Sequence, residues 1–213
     1  MTTSTGTTEK PTYTDEQRRL IDKYRDMNVD HFDWWDCVYD DFIATAKTKG
    51  FLIHDHNYIQ FSGFWSQGDG ASFEAVVDTH VFIKAYGLES AYPWIVKLFD
   101  YDGSAGLEVT RNNSRYSHEN TCTTSVNWYN EFHHVIDTKG DETREDILEQ
   151  WNIHLQSDID QLVKDVESAR LELCRELYRS LEAEYEHLTS DEAVWDSIVA
   201  NELDCEPTEE DDK

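Results

Sequence analysis

The sequence has little positive charge and no long apolar run. Only 18 of its 213 residues are Lys or Arg, against 45 Asp or Glu, for a formal net charge of −27. A surface of that sign repels phosphate backbones and speeds encounter with cations. Direct nucleic-acid binding is therefore disfavoured, and a basic protein is the expected partner. No segment approaches the ~18 uninterrupted apolar residues of a membrane helix. The start, Met1-Thr-Thr-Ser-Thr-Gly-Thr-Thr8, lacks the apolar centre of a secretion signal. Cytoplasmic residence without membrane association is the expectation.

The four cysteines, Cys37, Cys122, Cys174 and Cys205, are widely separated, and no Cys-x-x-Cys pair occurs. Zinc-ribbon and thioredoxin-like readings lose their basis, and reduced, mostly buried thiols are expected. Also absent are Gly-x-Ser-x-Gly, a phosphate-binding loop, a dinucleotide fingerprint and His-Glu-x-x-His. Ordinary hydrolase, kinase and dehydrogenase chemistry therefore has no signature here, and no cofactor is expected.

What the chain does have is buriable surface. Hydrophobic residues make up 38% and aromatic residues 13%, which is too much for an intrinsically disordered protein. The charge is uneven: residues 1–140 carry 21 acidic and 12 basic side chains, and residues 141–213 carry 24 and 6. Four segments follow. Residues 1–12 form a Thr-rich tail, 13–140 an α+β domain, 141–205 an acidic helical extension, and 206–213 an acidic end that lacks the apolar content to order itself.

Thr14-Asp-Glu-Gln17 has the form of a capping box, and Leu20, Ile21, Tyr24 and Met27 follow as a helical stripe. A second helix, capped by Asp30 or Asp33, turns Trp34, Trp35, Val38, Phe42 and Ala46 inward and stops at Gly50. The period then falls to two. Ile53, Ile59, Phe61, Gly63 and Trp65 alternate, Ser66–Gly70 reads as a turn, and Phe73, Ala75 and Val77 alternate beyond it, so residues 58–77 predict a hairpin. Two short helices are expected over 78–86 and 91–99. Strands are expected over 107–111 and 114–128, joined by a tight Asn112-Asn113 turn.

From Leu148 to Leu188 one apolar stripe recurs eleven times in 40 residues, about 3.64 residues per step. That is the period of a straight helix packed on its own domain, not the 3.5 of an intermolecular zipper. Thr189-Ser-Asp-Glu192 then caps a short last helix carrying Val194, Trp195, Ile198 and Val199. The expected architecture is α+β: an antiparallel sheet of about four strands with flanking helices, then a long acidic amphipathic helix and a short C-terminal one.

Two sets of residues suggest activity. His54-Asp55-His56 on a strand would turn both imidazoles to one face, and with His118 and Glu119 could bind zinc or iron for metal-assisted hydrolysis; His80 and His133-His134 are further donors. The other set is the segment Phe61–Phe73, with four aromatics around a flexible turn. Strand alternation points Phe64 and Trp65 to opposite sides, so one of them is expected outside the core as a partner contact, beside Gln67 and the turn residue Asp69. Asp69 itself is expected to serve the backbone.

The stretch Ile59-Gln-Phe-Ser-Gly-Phe-Trp-Ser-Gln-Gly-Asp-Gly-Ala-Ser-Phe73, together with Tyr116-Ser-His-Glu119, resembles small bacteriophage-encoded proteins, some labelled antitoxins of a toxin–antitoxin stability system. The resemblance spans about residues 30–130. It implies phage origin and neutralisation of a host factor, and it transfers neither a catalytic residue nor a target.

The leading expectation is thus a non-enzymatic acidic protein that binds and neutralises a basic host protein. In its sharpest form the outward carboxylates Glu145, Glu149, Asp158, Asp165, Glu172, Glu176, Glu182 and Glu186 mimic DNA phosphates. The alternatives are a small metal-dependent enzyme on the histidine-rich sheet and a self-assembling helical protein.

Overall fold

The computed structural model describes residues 11–30, 33–99, 106–112, 114–126 and 144–203, and for 97–99, 144–153 and 155 the backbone alone. Residues 1–10 of the expected N-terminal tail, the expected acidic end 206–213, and His133 and His134 lie outside the described residues. The fold is α+β, as composition and periodicity predict. The chain divides into two compact units, one of residues 36–181 and one of residues 1–35 with 182–213.

In the larger unit, α2 (Asp36–Thr48) buries Tyr39, Phe42 and Ala46 and ends at Gly50, whose φ of +88° favours glycine. It starts later than expected. Trp34 and Trp35 precede the helix instead of forming its inner face. The sheet runs β1 (Phe51–Leu52), β4 (Ala75–Val77), β5 (Leu107–Arg111), β6 (Cys122–Val126), with every pairing antiparallel. Beside it, β2 (Ile59–Ser62) and β3 (Gly70–Phe73) form a separate two-stranded hairpin, with Ile59 opposite Phe73 and Ser62 opposite Gly70.

The expected 58–77 hairpin therefore forms only near its turn. At Glu74 the second arm changes partners: the Glu74 N–H donates to the Tyr58 carbonyl, and its carboxylate accepts from the Arg111 N–H at 3.3 Å. Beyond Glu74 the chain pairs with β5 instead of β2. Alternation of side chains is blind to such a change, because both pairings keep the same faces inward.

The tight Asn112-Asn113 turn is also overturned. Asn112 N–H donates to the Thr121 carbonyl at 2.7 Å, so a longer connection that includes a 3-10 turn (Glu119–Thr121) replaces the tight turn, and β6 begins at Cys122, not Ser114. Arg111 holds this loop by donating to the carbonyls of Tyr116 (2.9 Å) and Ser114 (3.4 Å). Two further helices, α3 (Thr79–Ala85) and α4 (Pro93–Phe99), lie between β4 and β5.

Helix α5 (Arg144–Leu188) is 45 residues long, and from Ile159 its stripe is buried as the period predicts: Ile159, Leu162, Val166, Ala169, Leu173, Leu177 and Leu181. Also buried in the same unit are Phe51, Phe73, Phe82, Ile83, Tyr92, Ile95, Leu107 and Val109. Phe73 takes edge-to-face contacts from Phe42 (5.3 Å) and Phe51 (5.8 Å). Hydrogen bonds tie α5 to its surroundings: Tyr92 Oη donates to Asp165 at 2.5 Å, and Thr124 Oγ1 to Glu167 at 2.7 Å.

Arg170, on the same helix, is only 1% exposed. Its Nη2 and Nε donate to Glu167 at 2.5 and 3.0 Å, and its Nη1 to the Glu119 carbonyl at 2.6 Å. Burial disfavours charge on both partners, but the mutual hydrogen bonds prevail: the Glu167 carboxyl is held below its ordinary value by Arg170 and Thr124, and the guanidinium stays charged. Two buried thiols lie in this region, and burial pushes Cys174 up to about 12 and raises Cys122. They are inert as nucleophiles at neutral pH. Cys37 is exposed, and Cys205 is outside the described residues.

In the smaller unit, α1 (Asp15–Lys23) carries the expected capping box, with Thr14 and Gln17 bonding reciprocally at 2.8 and 3.2 Å. Its Ile21 packs with Val194 and Ile198 of α6 (Asp191–Ala200), flanked by Tyr13, Leu20, Tyr24, Met27 and Trp195. Ser190 is the N-cap of α6. Arg25 donates to the Thr189 carbonyl and to Asp191, and Asn28 to the Leu188 carbonyl, fixing the turn between α5 and α6. Val199, expected inward, is exposed.

Arg170→Met is expected to lower the unfolding free energy in urea by about 3 kcal/mol, the low end for breaking a buried pair, because Glu167 keeps some contact with water. Glu167 also sets an acid limb. Its folded-state carboxyl titrates below the unfolded value of about 4.3, so its contribution is complete above that pH and is lost as pH falls through the folded value. A urea series from pH 6 to pH 3 should show a shallower decline for Glu167→Gln than for the native chain.

Candidate interaction surface

The β2–β3 turn is built around one carboxylate. Asp69 Oδ2 accepts from the N–H groups of Trp65 (3.0 Å) and Ser66 (2.6 Å), and the Asp69 N–H donates to the Ser66 carbonyl at 3.1 Å. The structural role expected of Asp69 is what the geometry gives. Phe64 turns back over Phe61 (ring centres 5.9 Å apart) and Tyr178 of α5 (5.6 Å), while Tyr178 Oη donates to the Gly63 carbonyl at 3.1 Å. Trp65 is the outward residue of the pair, 78% exposed, with Gln67 exposed beside it.

A second loop joins the tip. Gly68 has φ +99°, and a Cβ there would sit 3.2 Å from the ring of Tyr116. A Cβ on Gly70 would fall 2.6 Å from that of His118, so glycine at these positions is what lets the 114–118 loop close onto the hairpin. Tyr116 is itself 41% exposed, with the Arg115 guanidinium 4.8 Å from its ring centre. The combined patch presents Trp65, Gln67, Arg115 and Tyr116.

This patch departs from the rest of the chain in charge. Asp69, occupied by two N–H groups, is the only acidic residue in 57–73, and 109–118 contains Arg111 and Arg115 but no acid. Few acids, with Trp, Tyr and Arg together, is the composition of an interface centre. Sequence reading named Phe64, Trp65, Gln67 and Asp69 but missed Arg115 and Tyr178. Tyr116 was noted only as part of a motif, and nothing local in the sequence signals its contact with Gly68.

The alternative metal set is not brought together. His54 pairs with its neighbour Asp55 at 2.9 Å, and His56 lies on a 3-10 turn, not a strand, bonded to Asp40 (2.8 Å) and Asp36 (3.3 Å). Asp55 accepts the Asn57 N–H and starts that turn, which is why the strand stops short. His118 Nδ1 accepts from the Asn120 N–H, and Glu119 pairs with Arg175 at 3.2 Å. Among the described residues no three His, Cys, Asp or Glu are grouped to hold a metal ion.

The carboxylate row of α5 is partly engaged. Asp165 accepts from Tyr92 and from Gln161, Asp158 from the Trp94 N–H at 3.3 Å, and Glu176 pairs with Lys49 at 3.1 Å. Glu172 and Glu186 are exposed, Glu182 is half-buried, and the side chains of Glu145 and Glu149 lie outside the described residues. None of the helices among the described residues is long and apolar enough to cross a membrane.

An α+β unit with a pinned aromatic tip and an acidic long helix defines the class of protein this is. Residues 34–191 match a family described as a domain of unknown function (DUF8835), and the chain belongs to that family. The match includes the hairpin tip, the 114–118 loop and α5. No curated protein and no solved structure matches the chain.

Trp65→Ala should leave stability within about 0.5 kcal/mol of native in urea, because the ring is mostly exposed.

Proposed function

We propose that this chain is a non-enzymatic binding protein for a cationic partner protein, with the Trp65 tip as the anchor and the acidic surface as the steering field. The observation that carries this reading is the 78% exposure of Trp65 on a turn pinned by hydrogen bonds, inside a patch with few acids on a chain of net charge −27. Exposed aromatic and Arg side chains supply most of the energy at interface centres, while net charge acts on association rate through long-range attraction. The two features therefore divide the work: the tip sets the lifetime of the complex, and the charge sets how often it forms.

The likeness of Ile59–Phe73 to phage-encoded, antitoxin-labelled proteins fits a target in a host cytoplasm and an outcome of neutralisation. Mimicry of DNA by α5 is the weaker form of the same idea, since Asp158 and Asp165 accept from the Trp94 N–H and the Tyr92 hydroxyl instead of standing free as phosphate surrogates. Metal-assisted hydrolysis has less support still, because His54, His56, His118 and Glu119 are each engaged with different neighbours.

The test is retention of proteins from host lysate on the immobilised chain at about 50 and 500 mM salt, beside Trp65→Ala. The expected result is a basic protein held at low salt, shed at high salt, and bound at least ~30-fold more weakly by Trp65→Ala, the scale of a hot-spot loss. Equal retention by Trp65→Ala, or a partner without salt dependence, overturns the reading.

A further inference from the structure

Resting on that reading, we infer that Asp69 is the positioning residue of the surface: its carboxylate fixes the turn so that Trp65 is held outward before any partner arrives. Both N–H groups that enter the turn, from Trp65 and Ser66, converge on the same oxygen, Oδ2. The return N–H of Asp69 closes on the Ser66 carbonyl, so residues 65–69 form a ring of three hydrogen bonds around one side chain. The carboxylate fills the space beside Gly63, where a Cβ would come within 2.7 Å of Oδ2, so a larger residue at 63 would displace the clamp.

The far side of the turn is fixed separately. Phe64 is stacked on Phe61 and lies tilted against Tyr178, the Gly63 carbonyl accepts from Tyr178, and Gly68 lies against Tyr116. With residues 64 and 68 held, Asp69 decides the course of the two residues between Phe64 and Gln67, which includes the anchor. Ordering those residues in advance removes part of the entropy that binding would otherwise have to overcome. Asp69 is also the sole acid of the hairpin, and its Oδ2 is engaged by two backbone donors.

Because a single oxygen accepts both bonds, Asp69→Asn retains the clamp with the amide oxygen, while Asp69→Ala removes it. Hydrogen exchange of the Trp65 and Ser66 amides, read by NMR on the full chain, should be about tenfold or more faster in Asp69→Ala and near native in Asp69→Asn, on the scale of ordering one residue. Retention of the partner captured by the native chain should weaken about tenfold in Asp69→Ala and be rescued in Asp69→Asn. Amide exchange unchanged in Asp69→Ala overturns the clamp. Faster exchange with undiminished retention overturns its role in binding. Trp65→Ala run alongside separates the two ideas: if it retains the partner fully, the interface assignment itself fails, whatever the exchange shows.

Discussion

The buried guanidinium of Arg170 is the constraint on which the remaining arrangement depends. It connects three things that would otherwise be independent: its own helix through Glu167, the 3-10 turn before β6 through the Glu119 carbonyl, and the edge strand through Thr124, which shares Glu167. A charge taken out of water needs its donors used, and here three of its hydrogen bonds are made at 2.5–3.0 Å. This fixes the axial position of α5 against the sheet. Apolar side chains at a 3.6 period could be satisfied one turn up or down, whereas a buried ion pair tolerates a single register.

From that register the position of the tip follows. Glu119 sits next to His118, and His118 lies under Gly70, the first residue of β3. The same helix carries Tyr178, two turns beyond Arg170, which reaches the Gly63 carbonyl and the ring of Phe64 at the other end of the turn. The hairpin is thus held from both sides by α5, directly at 63–64 and through the 114–119 loop at 68–70. A two-stranded ribbon alone is marginal in water, so this support is what makes a small hairpin rigid enough to present a tryptophan.

The acidic character of the chain has two uses that composition does not separate. Some carboxylates organise the fold: Glu167, Asp165, Asp158 and Asp69 each accept hydrogen bonds from specified donors. Others, such as Glu172 and Glu186, are exposed to solvent and add to the field of the surface. A helix reading of α5 assigns Asp158, Asp165, Glu172 and Glu186 alike to an outer face, because amphipathicity distinguishes apolar from polar but not a bonded carboxylate from a free one.

Local physics settled much of this molecule from the residues alone. The capping box at Thr14, the end of α2 at Gly50, the straight period of α5 and the helix α6 all depend on neighbours within a few positions, and those are visible in a chain read residue by residue; which of Phe64 and Trp65 points outward is not, because Phe64 is held by Tyr178. What needed the tertiary structure was long-range. The change of strand partner at Glu74, the ten-residue closure from Asn112 to Thr121, the pairing of His56 with Asp40 and the docking of Tyr116 on Gly68 are each decided by a partner distant in sequence. Buried Arg170 is the clearest case. In sequence it is one more charged helix residue, and only packing reveals that it faces inward, because the groups that satisfy it, the Glu119 carbonyl above all, are brought to it by the fold and not by the local pattern.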